Sequence, residues 1–266
     1  MLLSQATPAV IRDIWTERCA SIPARPTVAE VARAVVEGIY DAFEDSLVMA
    51  RAFFTVPYQI LPERQRRFAH DLARSVQLEH LLEAHTPVPS LLATRGCVAE
   101  WNHPDQSQGH VAIPLLSEAF VGSIPMMSRL LKELGLPLTW VQDPGAVMER
   151  LMIGSEVGLF FVADPAHAVD ELGRKIIPAQ AFVTNHSVRA VFAVGGVVFG
   201  GAVFVVIFFC RDPVLSRTAR AFMPLISEVK ATLVLQCSMS RVFPPDAAED
   251  RGGGQETGTA SPGDGR

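Results

Sequence analysis

AVFAVGGVVFGGAVFVVIFFC, residues 190–210, is a run of twenty-one residues without a charged or strongly polar side chain. As an α-helix it would extend roughly 31 Å, at about 1.5 Å per residue, which is enough to cross the hydrocarbon core of a bilayer. Against that interpretation, Val, Phe and Ile make up most of the run, and glycine pairs at 195–196 and 200–201 interrupt it. The run therefore predicts two buried strands joined by a turn, with a membrane span as the alternative.

The residues after this run predict a long helix. Asp212 can cap a helix and Pro213 can occupy its first position, and the pattern continues to about Cys237. Pro224 should kink this helix or split it in two. The spacing of its apolar positions is heptad-like, which fits either packing on the parent sheet or a seam shared by two chains. These positions are Leu215, Ala219, Phe222, Ile226, Val229 and Leu233.

Helix and strand patterns alternate through the rest of the chain. Thr27 and Glu30 have the spacing of a capping box and open an amphipathic helix. Pro125 requires a kink or a late start in the apolar stripe around it. We expect strands at 47–58, 90–97, 110–116 and 157–163, a polar loop at 100–108, and helical segments at 27–43, 63–82, 120–134, 164–173 and 179–185.

The charge of the chain argues against one class of partner. The formal net charge is -5, and no cluster of Lys and Arg appears. The electrostatic footprint of a protein that binds nucleic acid or an anionic membrane surface is therefore missing. We predict that the protein has no nucleic-acid partner.

The four cysteines indicate a reducing compartment. Cys19, Cys97, Cys210 and Cys237 lie far apart without a CxxC pair, and the first residues lack the basic start and apolar core of an export signal. We expect free thiols and a cytoplasmic protein.

Together these patterns predict an α+β fold, in which helices cover a mainly antiparallel central sheet and a long C-terminal helix follows it. We expect an N-terminal arm at 1–26 and one domain at 27–240. The residues at 241–266 are rich in Gly, Pro, Ser, Thr and acidic residues without apolar periodicity, which predicts a disordered tail.

The chain from His186 onward is similar to a known module. HSVRAVFAV, a glycine turn and GGAVFVVIFFCRDPVLSRTARAFMPLISEVKATL resemble the C-terminal half of a GAF domain, the small-molecule sensor module of bacterial signalling proteins. In that family, a strand led by a basic or small polar residue precedes a turn, a Gly-led strand, a short polar link and a terminal helix. The resemblance covers residues 182–235, and the first half of the chain agrees in element order.

The resemblance implies a non-catalytic sensor or regulatory module in bacterial signal transduction. It also implies a cavity between one sheet face and the middle loops, a homodimer formed through the helix at 213–237, and ligand occupancy relayed through that helix. A separate kinase or other output protein is the expected partner, since no output segment follows the helix in this sequence. The identity of the ligand and any cofactor stays open.

The predicted ligand contacts come from the polar loop and from the start of the apolar run, and they are Trp101, His103, His110, His186 and Arg189. His186 beside Arg189 suits recognition of an anionic ligand. The alternative role of these residues is structural, as side chains of surface loops and turns. We assign no metal site, because the spacing of Cys97, His103 and His110 matches no zinc pattern.

An enzymatic alternative rests on thiol chemistry. One GAF-like family reduces free methionine sulfoxide with cysteine thiols, and Cys97 and Cys210 would be the corresponding candidates here. A thiol at the end of an apolar strand, as at Cys210, tends to stay protonated, and no phosphate loop, nucleophile elbow or paired-carboxylate motif is present. We therefore assign no catalytic residue, and a protein anchored in the membrane through 190–210 is the second alternative.

Overall fold

The apolar run forms a β-hairpin, as predicted. In the computed structural model, which describes residues 1–18, 20, 22–107, 109–138, 157–198, 201–239 and 241–244, the two strands pair antiparallel from Ala190 with Cys210 to Val197 with Val203. Gly201, shortly before β5, has a φ of 87°, a value that glycine adopts at little cost. Among the described residues, no helix is long and apolar enough to cross a membrane.

The hairpin belongs to a five-stranded sheet with the order β2-β1-β5-β4-β3, in which every pair of neighbours is antiparallel. The strands are β1 (Leu47–Pro57), β2 (Pro87–Gly96), β3 (Gly158–Val162), β4 (Ala190–Val197) and β5 (Val203–Cys210). Helices cover both faces, so the predicted α+β class with a mainly antiparallel sheet is confirmed.

Eight α-helices are seen in the part of the chain that the structure describes. They are α1 (Pro8–Arg18), α2 (Val28–Ala42), α3 (Glu63–Ser75), α4 (Glu118–Gly122), α5 (Pro125–Glu133), α6 (Gln180–Asn185), α7 (Ser216–Arg220) and α8 (Met223–Ser238). Short 3-10 helices are found at Leu3–Gln5, Ile22–Ala24, Tyr58–Ile60, Glu79–Leu81, Ala99–Asn102 and Pro104–Gln106. The capping box is confirmed, because Thr27 accepts a hydrogen bond from the N–H of Glu30 and donates one to its carboxylate.

The terminal helices α1, α2 and α8 cover one face of the sheet, which we call the helix face. Phe222, at the start of α8, packs on Phe192 and Phe208 of the hairpin with ring centroids 5.5 and 5.6 Å apart. Five positions of the heptad-like pattern are buried here, namely Ala219, Phe222, Ile226, Val229 and Leu233, whereas Leu215 is exposed. The pattern therefore packs on the parent sheet.

Segments from the middle of the chain cover the opposite face, which we call the loop face. Buried side chains of α4, α5 and β3, together with those of residues 111–116 and 176–188, form a second apolar core against it. Both cores share the strands of one sheet, so the hairpin separates the terminal helices from the middle segments.

The strand predicted at 110–116 is wrong. These residues run beside β2 with hydrogen bonds such as Leu91 N–H to Val111 O, at 2.7 Å, and Ile113 N–H to Pro89 O, at 3.2 Å. Pro87 and Pro89 have no N–H to donate in return, so a complete ladder does not form. The segment is extended and buried without being a strand.

Two helix predictions also differ from the structure. Residues 164–173 form turns instead of a helix, and the Asp164 carboxylate lies 2.9 Å from Nδ1 of His167. Asp212 is buried, where it accepts hydrogen bonds from the N–H of Ser4 at 2.8 Å and the hydroxyl of Ser46 at 2.9 Å instead of capping a helix. Pro224 splits the last helix into α7 and α8, one of the two outcomes predicted for it.

Both ends of the described chain contact the helix face. Leu3, Ile11 and Trp15 are buried in its core, and the indole N–H of Trp15 donates to Glu228 at 2.7 Å. At the other end, the carbonyls of Arg241 and Val242 accept the first N–H groups of α2. The rest of the predicted tail, residues 245–266, lies outside the described residues.

Candidate ligand-binding site

Arg51 places a cation on the loop face. It lies in β1 opposite Ile207 of β5, and Phe53, two residues further along the same face, holds its ring 5.2 Å below the guanidinium carbon. The residue is 8% exposed. A charged side chain in the middle of a sheet requires polar partners from the segment that covers it.

Those partners come from the loop before residue 111. Nη2 of Arg51 donates to the hydroxyl of Ser107 at 2.9 Å and to the carbonyl of His110 at 3.0 Å, while Nε has no hydrogen-bond partner in the described ranges. Among the described residues, no carboxylate forms an ion pair with Arg51. Burial accordingly lowers the pKa of Arg51 to about 10, so its positive charge is retained at neutral pH without local neutralisation.

An open cleft of about 460 Å³ lies against His110, within the usual size range of small-molecule sites. Its apolar wall comes from the junction between α4 and α5 and from the segment before α6. The lining residues are His110, Ser123, Ile124, Pro125, Arg174, Lys175 and Pro178.

Arg174 fixes one wall of the cleft. Its guanidinium bonds to the Asp170 carboxylate at 2.7 Å and donates to the carbonyls of Gly122 and Ser123, at 2.9 and 3.2 Å. The charge of Arg174 is thus balanced by Asp170, and the side chain joins the 164–178 segment to the end of α4. Arg174 is a positioning residue in this wall.

Lys175 is the second basic residue of the wall. Its ammonium donates one hydrogen bond to the carbonyl of Ala166, and no ion pair to it is found in the described ranges. A lysine ammonium has three N–H donors, so two are not used by this hydrogen bond.

His110 lies next to Arg51 and lines the cleft together with Arg174 and Lys175. The residue is exposed as a whole, yet desolvation of its ring and the nearby charge of Arg51 both lower the pKa of the imidazole. At neutral pH it therefore offers a neutral ring with one N–H donor.

A separate aromatic group lies further along the loop face. The ring of Trp101 contacts His186 at 4.8 Å and Phe182 at 5.6 Å, and Phe182 packs on Phe209 of β5 at 5.3 Å. Gly96 makes room for the indole, since a Cβ there would lie 2.8 Å from Trp101. Phe209 pairs with Met49, two residues before Arg51, so this group and the cleft share one sheet face.

The predicted site residues therefore fall into different places. Trp101 and His186 are brought together in the aromatic group, and His110 lines the cleft. His103 and Arg189 are exposed, and neither lines the cleft. Within the described residues, no group of three or more metal-ligating side chains is found.

Sequence reasoning missed Arg51, Arg174 and Lys175. Arg51 carried a signal, because it is the single charged residue in the apolar strand LVMARAFFTV. Arg174 and Lys175 carried none, since their role depends on α4 and α5 folding next to them.

A second concavity, of about 220 Å³, lies on the surface at α3 and is lined by Tyr58, Glu63, Arg66, Arg67 and His70. Glu63 pairs with both Arg66 and Arg67, at 3.7 and 3.0 Å. In this concavity a single carboxylate faces two guanidinium groups.

The thiols required by the enzymatic alternative are unsuited to act together. Cys97 is exposed, whereas Cys210 is fully buried, and burial raises the pKa of its thiol well above the usual range. Cys97 follows β2 and Cys210 ends β5, with β1 between them, a separation of about two strand spacings or ~9.5 Å. That exceeds the Cα separation that a disulfide spans without backbone movement.

No protein-family model matches the chain, and no curated protein matches its sequence. Solved structures do resemble it. The GAF domain of an Acinetobacter phosphoenolpyruvate-protein phosphotransferase is 10% identical, with a TM-score of 0.45, over 87% of this chain and 97% of that chain. The phycoerythrobilin-bound GAF domain of a cyanobacterial phytochrome is 8% identical, with a TM-score of 0.42, over 89% of this chain and 99% of that chain.

The chain is similar in fold to GAF domains. A free methionine-R-sulfoxide reductase from Neisseria meningitidis, in complex with its substrate, is also similar, at 11% identity and a TM-score of 0.44, over 91% of this chain and 97% of that chain. A GAF-like fold was the prediction from residues 182–235, and two of these solved structures are GAF domains. The likeness concerns the fold alone and carries no argument about ligand, activity or partners.

Proposed function

We propose that the protein is a non-catalytic small-molecule sensor whose ligand binds in the cleft at His110. The observation that supports this role is the cleft itself, which combines an apolar wall at Ile124, Pro125 and Pro178 with polar groups from His110 and Lys175. Small-molecule sites commonly combine apolar walls with a few convergent polar groups.

The sheet offers a route from this cleft to the rest of the molecule. His110 is bonded to Arg51 of β1, β1 pairs with β5, and Phe208 of β5 packs on Phe222 at the start of α8. Ligand-dependent displacement of α8 would then change the surface read by a separate output protein, such as a kinase.

The proposal includes a homodimer formed through 213–237. Its contact surface would differ from the heptad-like positions of that segment. The heptad-like positions from Ala219 to Leu233 are occupied within the protomer, but Val234, Leu235 and Met239 are 43%, 60% and 48% exposed. A dimer would use this exposed end of α8.

Sedimentation of the wild type and of Leu235→Glu tests the proposed dimer. A wild-type dimer that dissociates in the variant supports the contact, and a monomeric wild type rejects the dimer.

A thermal-shift screen of metabolites tests ligand binding. Pro178 is exposed, so Pro178→Trp should fill the cleft without disturbing the core, and Leu172→Trp, at a residue 77% exposed in the same segment, is the matched control. We expect at least one compound to stabilise wild type and Leu172→Trp but not Pro178→Trp. No stabilising compound, or equal stabilisation of all three proteins, would reject the proposed function.

A further inference from the structure

We propose that the ligand is a small organic anion, with an apolar body on the Ile124 and Pro125 wall and a carboxylate or phosphate group between His110 and Lys175. This inference rests on the proposed function and names the ligand class of the same cleft. It depends on the balance of charges around the cleft, on the burial of Arg51 and on the polar groups that face the opening.

The charges around the cleft do not cancel. Two carboxylates of the surrounding elements form ion pairs with arginines of their own segments, Asp170 with Arg174 and Glu133 with Arg129. Asp164 is exposed and hydrogen-bonded to His167. Glu171 is exposed, Glu118 is half-buried, and neither lines the cleft. In the part of the chain that the structure describes, Lys175 and Arg51 are therefore left as positive charges without a carboxylate partner.

Burying the charge of Arg51 costs free energy, and a bound anion would offset part of that cost. The side chain is nine-tenths buried, and its two acceptors, Ser107 and the His110 carbonyl, are neutral. Its Nε has no hydrogen-bond partner among the residues that the structure describes. A buried cation is normally matched by an anion because neutral acceptors recover only part of the lost hydration. An anion at His110 would lie next to this charge and be attracted by it through a region of low dielectric.

The available donors fit a carboxylate or phosphate group. Lys175 has two N–H groups beyond its bond to Ala166, and His110 has one ring N–H when neutral. The charged ammonium of Lys175 favours an anionic oxygen over an amide or hydroxyl oxygen, and the neutral N–H of His110 can donate to the same group. The apolar wall opposite them excludes a ligand that is charged on all sides.

Lys175→Gln tests the inference, with Lys132→Gln as the matched control, because Lys132 is an exposed lysine of α5 outside the cleft. Calorimetric titrations would use benzoate, phenyl phosphate and inorganic phosphate, and benzamide as the neutral counterpart of benzoate. We expect benzoate or phenyl phosphate to bind wild type and Lys132→Gln at least tenfold more tightly than Lys175→Gln, with benzamide bound at least tenfold more weakly than benzoate.

The outcomes separate the two proposals. Binding of inorganic phosphate as tight as that of phenyl phosphate shows an ion site without a role for the apolar wall, and overturns the organic-anion class. If a compound that Pro178→Trp blocks is neutral, or binds Lys175→Gln as tightly as wild type, the sensor proposal stands and the anion inference is rejected. If no compound is blocked by Pro178→Trp, the sensor proposal fails first.

Discussion

The guanidinium of Arg51 donates a hydrogen bond of 3.0 Å to the carbonyl of His110, and this bond joins the central sheet to the cleft. It connects a buried charge of β1 with a residue of the cleft lining. The proposed function and the ligand class both depend on this connection.

Replacing Arg51 with Met should preserve or increase the free energy of unfolding. The lowering of its pKa to about 10 corresponds to a burial cost on the order of 3 kcal/mol, and an apolar side chain of similar length removes that cost. Urea denaturation measures the change, with Arg67→Met of the exposed α3 surface as the control. A loss of more than about 2 kcal/mol would mean that Arg51 serves chiefly to hold the 107–110 loop, because breaking a structural buried pair is strongly destabilising.

The pH dependence of stability should contain a contribution from His110. Because the folded-state pKa of this imidazole lies below the unfolded value near 6.5, the unfolded chain takes up its proton first as the pH falls. The contribution of His110 to the free energy of unfolding is therefore fully present above about pH 6.5. It is lost as the pH falls below that value, until the folded form is also protonated. Desolvation of the ring and, after it, the charge of Arg51 oppose that protonation.

His110→Gln should accordingly flatten the pH dependence. Urea midpoints at pH 7.5 and 5.5 measure it, with His103→Gln, a substitution in the exposed loop, as the control for histidine loss. A wild-type pH dependence in His110→Gln would show that the folded structure does not lower the pKa of this ring.

Gly195 should tolerate no side chain. It lies in β4 where a Cβ would come within 2.4 Å of the Phe204 carbonyl and 2.8 Å of Val205 Cα, both in the backbone of β5. Gly195→Ala should lower the free energy of unfolding by about 1–3 kcal/mol, the usual range for overpacking. Gly122→Ala, where a Cβ meets nothing within 4 Å, is the control, and equal stability of both variants would contradict the close approach of the strands.

The cysteines should differ in reactivity. Cys97 is exposed, Cys210 is buried with its thiol pKa raised, and burial raises the pKa of Cys237 to about 11. Iodoacetamide at neutral pH should therefore modify Cys97 before Cys210 or Cys237, as measured by peptide mass spectrometry. Rapid labelling of Cys210, or methionine sulfoxide turnover lost in Cys97→Ser and Cys210→Ser, would support the thiol enzyme instead.

Local sequence patterns were sufficient to predict the hairpin and the start of α2, because residues close in sequence determine both. The β-branched run with its glycines predicted the hairpin, and Thr27 and Glu30 predicted the start of α2. The predictions were wrong where contacts with a segment distant in sequence determine the local structure. Asp212 has the local pattern of a helix cap, but it accepts hydrogen bonds from Ser4 and Ser46. The segment at 110–116 lies beside prolines of β2, which have no N–H to donate.

The site was less predictable for the same reason. The polar loops of the sequence predicted Trp101, His110 and His186 as ligand contacts. No sequence pattern shows that Trp101 and His186 both contact Phe182, or that His110 lines a separate cleft. Lys175 and Arg174 become site residues through the packing of their segment on α4 and α5. A charge inside an apolar strand, as at Arg51, is the signal that sequence reasoning can use.

Hydrogen exchange with a compound from the screen tests the central claim most directly. If the cleft at His110 is the ligand site, amides at 110–113, 123–126 and 174–180 should exchange more slowly with the compound, and Pro178→Trp should abolish this protection. Unchanged exchange in these three segments, with protection elsewhere, for example at α3, would contradict the account.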